Sequence, residues 1–268
     1  MTRTIGIIGA GHLGRTLAAV LRDNGSPADR ILVSYGGNPA TLDALRQAGL
    51  EKNICDNQEI CKRASIIFIT VRPQSVAALD NIPFRKESLV VSCMAAIPRS
   101  LLRERWGFDV VRMMPSGPDT LREKNGIAGI YPENVLLRNI LEAAGLRVFD
   151  LPDEEMIQVF TAGVCLTAAI LAAREMDLDA EIPALSRKYP LIAEMCPWAK
   201  SVLPAFLSDS EREAYIAKMS TKGGITEAVV NSIRSGASLA DAMEAGVARV
   251  GEISAATGSH QGIRDGRR

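Results

Sequence analysis

Short apolar runs alternate with helical patterns over the first half of the chain, whereas the second half carries helical patterns only. The apolar runs are rich in β-branched residues and have the length of buried strands. Strands that alternate with helices indicate parallel β-α-β units, whose sheet is covered by helices on both faces. The predicted strands are Thr4–Ile8, Ile31–Ser34, Ile66–Val71, Leu89–Ser92, Val110–Met113, Asn125–Tyr131 and Gly145–Phe149, and the predicted helices between them include Leu13–Leu21, Pro39–Ala48 and Val135–Ala144.

The pattern changes after Leu151, where the β-rich runs end. Pro152, followed by three acidic residues, is typical of a helix start, and this helix is expected to continue to about Arg174. Prolines recur every seven residues between positions 183 and 204, which predicts short, bent helices there. The last predicted helix is Leu239–Ala256.

These patterns predict an α/β domain over residues 1–151, an all-helical domain over residues 152–257 and a flexible tail over residues 258–268. An all-helical half with an apolar face often buries that face against a second copy. We therefore expect a homodimer or a higher homo-oligomer, with a bundle closed within one chain as the alternative.

Composition narrows the class of protein. The chain has 31 Lys and Arg against 31 Asp and Glu, so it lacks the basic excess that binding to nucleic acid requires. No apolar run reaches the ~20 residues of a membrane span. The five cysteines are odd in number and form no C-x-x-C pair, and there are only two histidines. We expect a reduced, cytoplasmic protein without a metal site.

The segment Gly9-Ala10-Gly11-His12-Leu13-Gly14 fits the pattern G-x-G-x-x-G and lies between a predicted strand and a predicted helix. This context identifies a dinucleotide-binding turn. Gly9 permits the tight turn, Gly11 lets the backbone approach the pyrophosphate, and Gly14 lets helix and strand pack closely. The helix amino terminus then faces the phosphates.

The loop after the second strand reads Ser34-Tyr35-Gly36-Gly37-Asn38. NAD enzymes usually carry an acidic residue here, which would repel the 2′-phosphate of NADP. The acidic residue is missing here, and the Ser34 hydroxyl and the glycine amides could donate hydrogen bonds to a phosphate. We therefore predict NADP, with NAD possible.

Two further segments are candidates for binding anions. Arg72 lies in Val71-Arg72-Pro73-Gln74, at the carboxyl end of a strand, where ligands of open α/β sheets bind; the alternative is a solvated arginine beside a helix-starting proline. The segment Ser220–Thr226 places paired glycines and Lys222 before a helix. Its amides suit a small carboxylate, with Thr226 as the expected N-cap; the alternative is a capped helix entry.

Taken together, these motifs resemble the pyrroline-5-carboxylate reductase family. The matching segments run in the same order from residue 4 to about 255. They are GAGHLG, Val71–Gln74, Val91-Ser92-Cys93-Met94-Ala95-Ala96, Arg112-Met113-Met114-Pro115-Ser116-Gly117-Pro118 and Ser220–Thr226. The resemblance implies a Rossmann domain joined to a helical dimerisation domain, and hydride transfer from NAD(P)H to a cyclic imine carboxylate, the last step of proline biosynthesis.

The resemblance also implies roles for individual residues. Ser34 and Asn57 match positions near the adenosine ribose, and Val71, Arg72 and Pro73 match a turn against the cofactor. Cys93, Met94 and Ala95, with the turn Met114–Ser116, match positions near the nicotinamide. The loop residues Thr221, Gly223, Gly224 and Thr226 match the loop that holds the substrate carboxylate. Thr226 is the expected catalytic hydroxyl, and Thr161 is expected to assist it.

The second half departs from the family pattern. The family motif Ser-Gly-Ser-Gly-Pro-Ala reads Thr161-Ala162-Gly163-Val164-Cys165-Leu166, and the first Thr of Gly-Gly-Thr-Thr is Ile225. These changes would narrow or reshape the substrate pocket. The alternatives are a specialised imine or keto-acid reductase and an inactive NADP-binding sensor. A β-hydroxyacid dehydrogenase is less favoured, because Met156–Ala173 contains no lysine.

Overall fold

A computed structural model describes residues 3–174 and 176–262. The chain divides into two compact units, residues 1–157 and 158–268. The boundary predicted after residue 151 therefore lies within the first unit, because the segment that follows strand seven remains part of it.

The first unit contains a seven-stranded sheet. Its strand order is β2-β1-β3-β4-β5-β6-β7. The strands are β1 (Ile5–Ile8), β2 (Ile31–Ser34), β3 (Ile66–Ile69), β4 (Leu89–Ser92), β5 (Val111–Pro115), β6 (Ile127–Tyr131) and β7 (Arg147–Asp150). Neighbours along the strands point to opposite faces: Ile7 and Phe68 belong to one apolar cluster, whereas Ile8 and Ile69 belong to the other. Both faces are buried, as the sequence predicted.

One pairing departs from the expected parallel sheet. Strand β6 runs antiparallel to β5, with Met113 opposite Ile130. Only residues 116–126 separate the two strands, and a parallel return requires a crossover of a dozen residues or more. The connection is therefore too short to carry the chain back to the other end of the sheet.

Helices flank the sheet in the first unit. They are α1 (His12–Asp23), α2 (Pro39–Gln47), α3 (Asn57–Arg63), α4 (Arg99–Trp106), α5 (Pro118–Arg122) and α6 (Val135–Ala143). Asn38 caps α2 by accepting from the Thr41 amide, and Asp56 caps α3 by accepting from the Glu59 amide. The helix expected at Pro73 is a short 3-10 helix, Pro73–Leu79.

The second unit is helical in its described residues. Its helices are α7 (Met156–Gly163, which begins at the end of the first unit), α8 (Leu166–Ala172), α9 (Leu178–Lys188), α10 (Pro190–Ser201), α11 (Asp209–Met219), α12 (Ile225–Arg234) and α13 (Leu239–Gly262). Separate helices cover the segment with the spaced prolines, as predicted, and Pro190 opens α10. Pro183 and Pro197 lie inside 11- and 12-residue helices without ending them. Among the described helices, none combines the length and hydropathy that a membrane crossing requires.

Two helix predictions need correction. The helix expected from Pro152 to Arg174 begins at Met156, whose amide donates to the Asp153 carboxylate at 2.9 Å. Asp153 therefore lies before the helix and bonds its first amide instead of forming its first turn. It is also broken after Gly163, a poor helix former. The last helix continues to Gly262, past its predicted end at Ala256. The flexibility predicted for residues 258–268 stays a prediction, and residues 263–268 lie outside the described residues.

Candidate functional site

The glycine turn connects β1 to α1 and has the backbone that nucleotide binding requires. Gly9 has φ of 98°, and a Cβ there would lie 2.5 Å from Val71 Cγ1. The amides of Gly9 and Ala10 both donate to the Ser34 carbonyl, at 3.2 and 2.7 Å. These contacts fix the turn against the ends of β2 and β3, so its shape is set by the protein itself.

Gly11 and Gly14 differ in what surrounds them. A Cβ on Gly11 would meet no described atom within 4 Å, whereas one on Gly14 would collide with the Gly9 carbonyl and the Thr70 hydroxyl. No described side chain caps α1 at Gly11. The open space above Gly11 and the uncapped helix start fit a bound pyrophosphate. Leu13, which follows, packs against the core of the first unit.

The two residues expected near the adenosine ribose lie together. Ser34 Oγ donates to Asn57 Oδ1 at 2.5 Å, joining the end of β2 to the start of α3. Tyr35, which follows Ser34, is half-buried and packs against the core. No described carboxylate pairs with Ser34, in agreement with the sequence pattern that predicts NADP.

Arg72 ends the segment after β3. Its side chain is exposed and no described acidic residue pairs with it, while Pro73 begins the 3-10 helix directly behind it. A positive charge at the carboxyl edge of the sheet is suited to a phosphate.

The turns after β4 and β5 rest on a buried arginine. Cys93 and Met94 are buried, and Ala95 precedes Ala96, which has φ of 65°. Arg112, 3% exposed, donates to the Met94 carbonyl at 2.9 Å and pairs with Glu154 at 3.0 Å. Burial lowers the pKa of Arg112, and the Glu154 charge opposes that shift. Arg112 therefore fixes the Met94 backbone that the resemblance places near the nicotinamide.

Ser116 has a structural role at the end of β5. Its hydroxyl accepts from the Ile127 amide at 3.1 Å and lies 2.7 Å from Thr120 Oγ1. The side chain thus closes the connection to β6. The position of the Met114–Ser116 turn near the nicotinamide stays a prediction.

In the second unit, the thiol of Cys165 lies beside the Thr226 hydroxyl and the Thr161 backbone. Cys165 Sγ is 3.4 Å from Thr226 Oγ1 and 3.7 Å from the Thr161 carbonyl. Burial raises the pKa of Cys165 to about 11, while the hydrogen bond from Thr226 lowers it slightly. The neutral thiol is therefore the form that faces Thr226 at neutral pH.

The glycine loop before α12 is already bonded within itself. Gly223 N donates to the Glu227 carboxylate at 2.6 Å, and Gly224 N donates to the Thr221 carbonyl at 2.8 Å. Gly224 is the N-cap of α12, so Thr226, expected in that role, lies in the first turn instead. The Gly223 carbonyl accepts from Arg249 Nε and Nη2, at 2.9 and 2.7 Å.

Sequence reasoning missed three of these residues. A signal existed for two of them: Glu227 stands three residues after the cap, as in a capping box, and Arg112 interrupts an apolar strand. Arg249 is separated from Gly223 by 26 residues and had no local signal. No group of His, Cys, Asp and Glu among the described residues is arranged to hold a metal ion.

Comparisons with known proteins cover both units. Residues 4–96 match the family described as NADP oxidoreductase coenzyme F420-dependent. The chain is 27% identical over 247 residues to pyrroline-5-carboxylate reductase of Pseudomonas aeruginosa, covering 87% of this chain and 89% of that one.

Two solved structures share the fold. The Coxiella burnetii pyrroline-5-carboxylate reductase has a TM-score of 0.60 at 22% identity, covering 94% of this chain and 98% of that chain. The Plasmodium falciparum pyrroline carboxylate reductase, solved with NADP bound, has a TM-score of 0.59 at 20% identity, covering 96% and 98%. Over most of its length this chain is thus similar to the pyrroline-5-carboxylate reductases, at low identity.

The relationship supports an NAD(P)-dependent oxidoreductase with a Rossmann-like sheet and carboxyl-terminal helices. The prediction of NADP agrees with the description of the matching family. The match over residues 4–96 includes the glycine turn, Ser34, Asn57 and Arg72. Similarity to the reductases extends beyond residue 96 into the second unit, where Cys165 and Ile225 depart from the family pattern.

Proposed function

We propose that this chain reduces a cyclic imine carboxylate with NADPH, in the manner of the conversion of pyrroline-5-carboxylate to proline. The observation that carries the proposal is the open, uncapped glycine turn at Gly11, in a chain related to these reductases over 87% of its length. Neither the turn alone nor a distant likeness alone would suffice, because many nucleotide-binding proteins share the turn.

The first unit holds the nucleotide. The α1 amino terminus would take the pyrophosphate, Ser34 and Asn57 the adenosine ribose, and Arg72 a phosphate. The absence of a described carboxylate beside Ser34 supports NADP over NAD, since such an acid would repel the 2′-phosphate. When bound, NADPH supplies a hydride.

The second unit holds the imine carboxylate substrate. The Gly223 amide and the Lys222 charge would take the substrate carboxylate, which replaces Glu227 as the acceptor at Gly223. The Thr226 hydroxyl would bond the imine nitrogen, and Thr161 would assist. A protonated imine is already electrophilic, so the main task of these residues is to orient it. Hydride addition to the cation yields a neutral amine, and water completes the proton balance.

A specialised imine reductase is the second candidate. Cys165 contacts the Thr226 hydroxyl directly, and Ile225 replaces a family threonine beside it. These residues make the surroundings of Thr226 more apolar than the family motif does. They favour a substrate whose ring carries a different or larger substituent.

NADPH consumption tests the proposal, with pyrroline-5-carboxylate, pyrroline-2-carboxylate and open-chain imines compared at the same enzyme concentration. We expect turnover with at least one cyclic imine carboxylate. Faster turnover of a carboxylate-free imine would favour the specialised reductase. Tight NADPH binding without turnover of any of them would overturn the proposal and favour a sensor.

Thr226→Val removes the hydroxyl and keeps the shape of the side chain. We expect kcat/KM to fall about 10–1000-fold, because an oriented hydrogen bond to the reacting nitrogen is lost. Thr167→Val, on the neighbouring helix α8, is the matched control and is expected to leave kcat/KM within about twofold. Unchanged kinetics for Thr226→Val would remove Thr226 from the reaction.

We also propose that the chain acts as a homodimer or higher homo-oligomer through its helical unit. The family resemblance and the predominance of helices in that unit support the proposal. The alternative is a bundle closed within one chain, and the cluster formed by Ala168, Leu171, Ile216 and Val230 is one such internal core.

A further inference from the structure

A basic cavity lies in the first unit, beside α1. Its volume is about 480 Å³, and its charged lining residues are four cations and one acid: Arg15, Arg22, Arg122, Lys124 and Asp23. The chain as a whole has no net charge. This excess of positive charge is therefore a local feature of one cavity, of the kind that concentrates anions.

The cations of this cavity are unevenly compensated. Arg22 pairs with Asp23 at 2.7 Å and donates to the Ala48 carbonyl at 2.7 Å. In contrast, no carboxylate among the described residues pairs with Arg15 or Lys124. Arg122 approaches Asp119 only at 3.7 Å, with both side chains about half exposed. The cavity thus holds positive charge that the fold itself leaves unmatched.

Arg122 is directed towards α1. Its Nη2 lies 3.4 Å from Thr16 Oγ1 and 3.5 Å from His12 Nε2, so the guanidinium crosses the first turn of that helix. Partial burial lowers the pKa of Arg15, and the nearby Arg122 charge lowers it further. Two like charges held together in this way repel each other, and an anion between them would remove that repulsion.

We propose that Arg15 and Arg122, with Lys124, form a binding site for a phosphate group. Planar guanidinium groups suit phosphate because each can donate two parallel hydrogen bonds. The volume exceeds that of a phosphate ion and accommodates a phosphate ester. The phosphate has two possible sources: the dinucleotide, whose glycine turn leads into α1 at His12, or a separate phosphate-bearing molecule bound at the same time.

Calorimetric titration of the full chain with inorganic phosphate, at fixed ionic strength, tests the site. We expect one phosphate per chain, with the Kd raised at least tenfold by Arg122→Gln and by Arg15→Gln. Arg63→Gln is the matched control: it removes one exposed cation from α3, in the same unit but outside the cavity. Thermal melts of all three variants establish that they are folded.

Repeating the titration on chain saturated with NADPH distinguishes the two sources. If the dinucleotide supplies the phosphate, NADPH abolishes phosphate binding and Arg122→Gln weakens NADPH as well. If the molecule is separate, phosphate binds equally with and without NADPH, and Arg122→Gln leaves the NADPH affinity unchanged. Absence of phosphate binding, or equal binding by wild type, Arg122→Gln and Arg15→Gln, overturns the proposal.

Discussion

Glu227 occupies the amide to which the proposed function assigns the substrate. Glu227 stands three residues after Gly224, the cap of α12, and its carboxylate accepts from Gly223 N at 2.6 Å. A capping contact of this kind stabilises a helix start. An acidic substrate must displace it and must also approach its negative charge. Glu227 therefore contributes to the stability of the loop and opposes the binding of an acid.

Glu227→Gln separates these two effects, because the amide oxygen can still accept from Gly223 while the charge is gone. We expect KM for pyrroline-5-carboxylate to fall about two- to fivefold with kcat little changed, since exposed like charges repel by up to about 1 kcal/mol. KM for 1-pyrroline, which lacks the carboxylate, should not fall. Glu244→Gln, which removes an exposed acid that pairs with Lys188, is the control. A higher KM for the acid would show that Glu227 assists binding.

The buried thiol of Cys165 makes the stability of the folded chain depend on pH. Burial raises its pKa from the ordinary thiol value of 9.0 to about 11 in the folded chain. Between these two values the unfolded chain has lost a proton that the folded chain retains, so the contribution to stability is constant below pH 9 and falls as the pH rises towards 11.

Chemical denaturation of wild type and Cys165→Ala measures this contribution. We expect the difference in unfolding free energy between the two to shrink by about 1–3 kcal/mol as the pH rises over this interval. Thr167→Ala, two residues along the chain and without an ionisable group, should differ from wild type by a constant amount. A Cys165→Ala difference that does not change with pH would place the thiol in water.

The β1–α1 turn contains two glycines that are required for different reasons. Gly11→Ala puts a methyl group into open space, so we expect unchanged thermal stability and an NADPH Kd at least tenfold higher, since the methyl occupies the path of the pyrophosphate. Gly14→Ala drives a methyl group into the Gly9 carbonyl, so the melting temperature should fall as well. Equal NADPH binding by wild type and Gly11→Ala would locate the nucleotide elsewhere.

Local signals account for the elements that sequence reasoning predicted. The apolar runs of β1 to β4 and the glycine turn depend on neighbours in the chain, and all five appear within a residue or two of their predicted bounds. The antiparallel direction of β6 follows from the short connection between β5 and β6. The start of α7 depends on which acidic residue bonds its first amide. The contacts Arg112–Glu154 and Arg249–Gly223 join residues 42 and 26 positions apart, so tertiary structure alone brings them together.

For the whole molecule, the proposed oligomer depends on apolar surface. Two large apolar side chains are strongly exposed among the described residues: Leu207, 95% exposed, in the second unit, and Val135, 62% exposed, in the first. A single exposed apolar residue is common on monomers, so exposure alone does not identify an interface. The family resemblance, however, assigns dimerisation to the helical unit. We therefore expect Leu207, and not Val135, to lie in the interface.

Sedimentation velocity experiments on Leu207→Glu and Val135→Glu test which of the two residues lies in the interface. Wild type is expected to sediment as a dimer or larger species of the 28.8 kDa chain. Leu207→Glu should dissociate it by burying a charge at the interface, whereas Val135→Glu should not, because the first unit is not assigned to dimerisation. Both substitutions lie on exposed positions, so each chain should fold normally. A wild-type monomer would contradict the proposed oligomer, and dissociation by Val135→Glu alone would move the interface to the first unit.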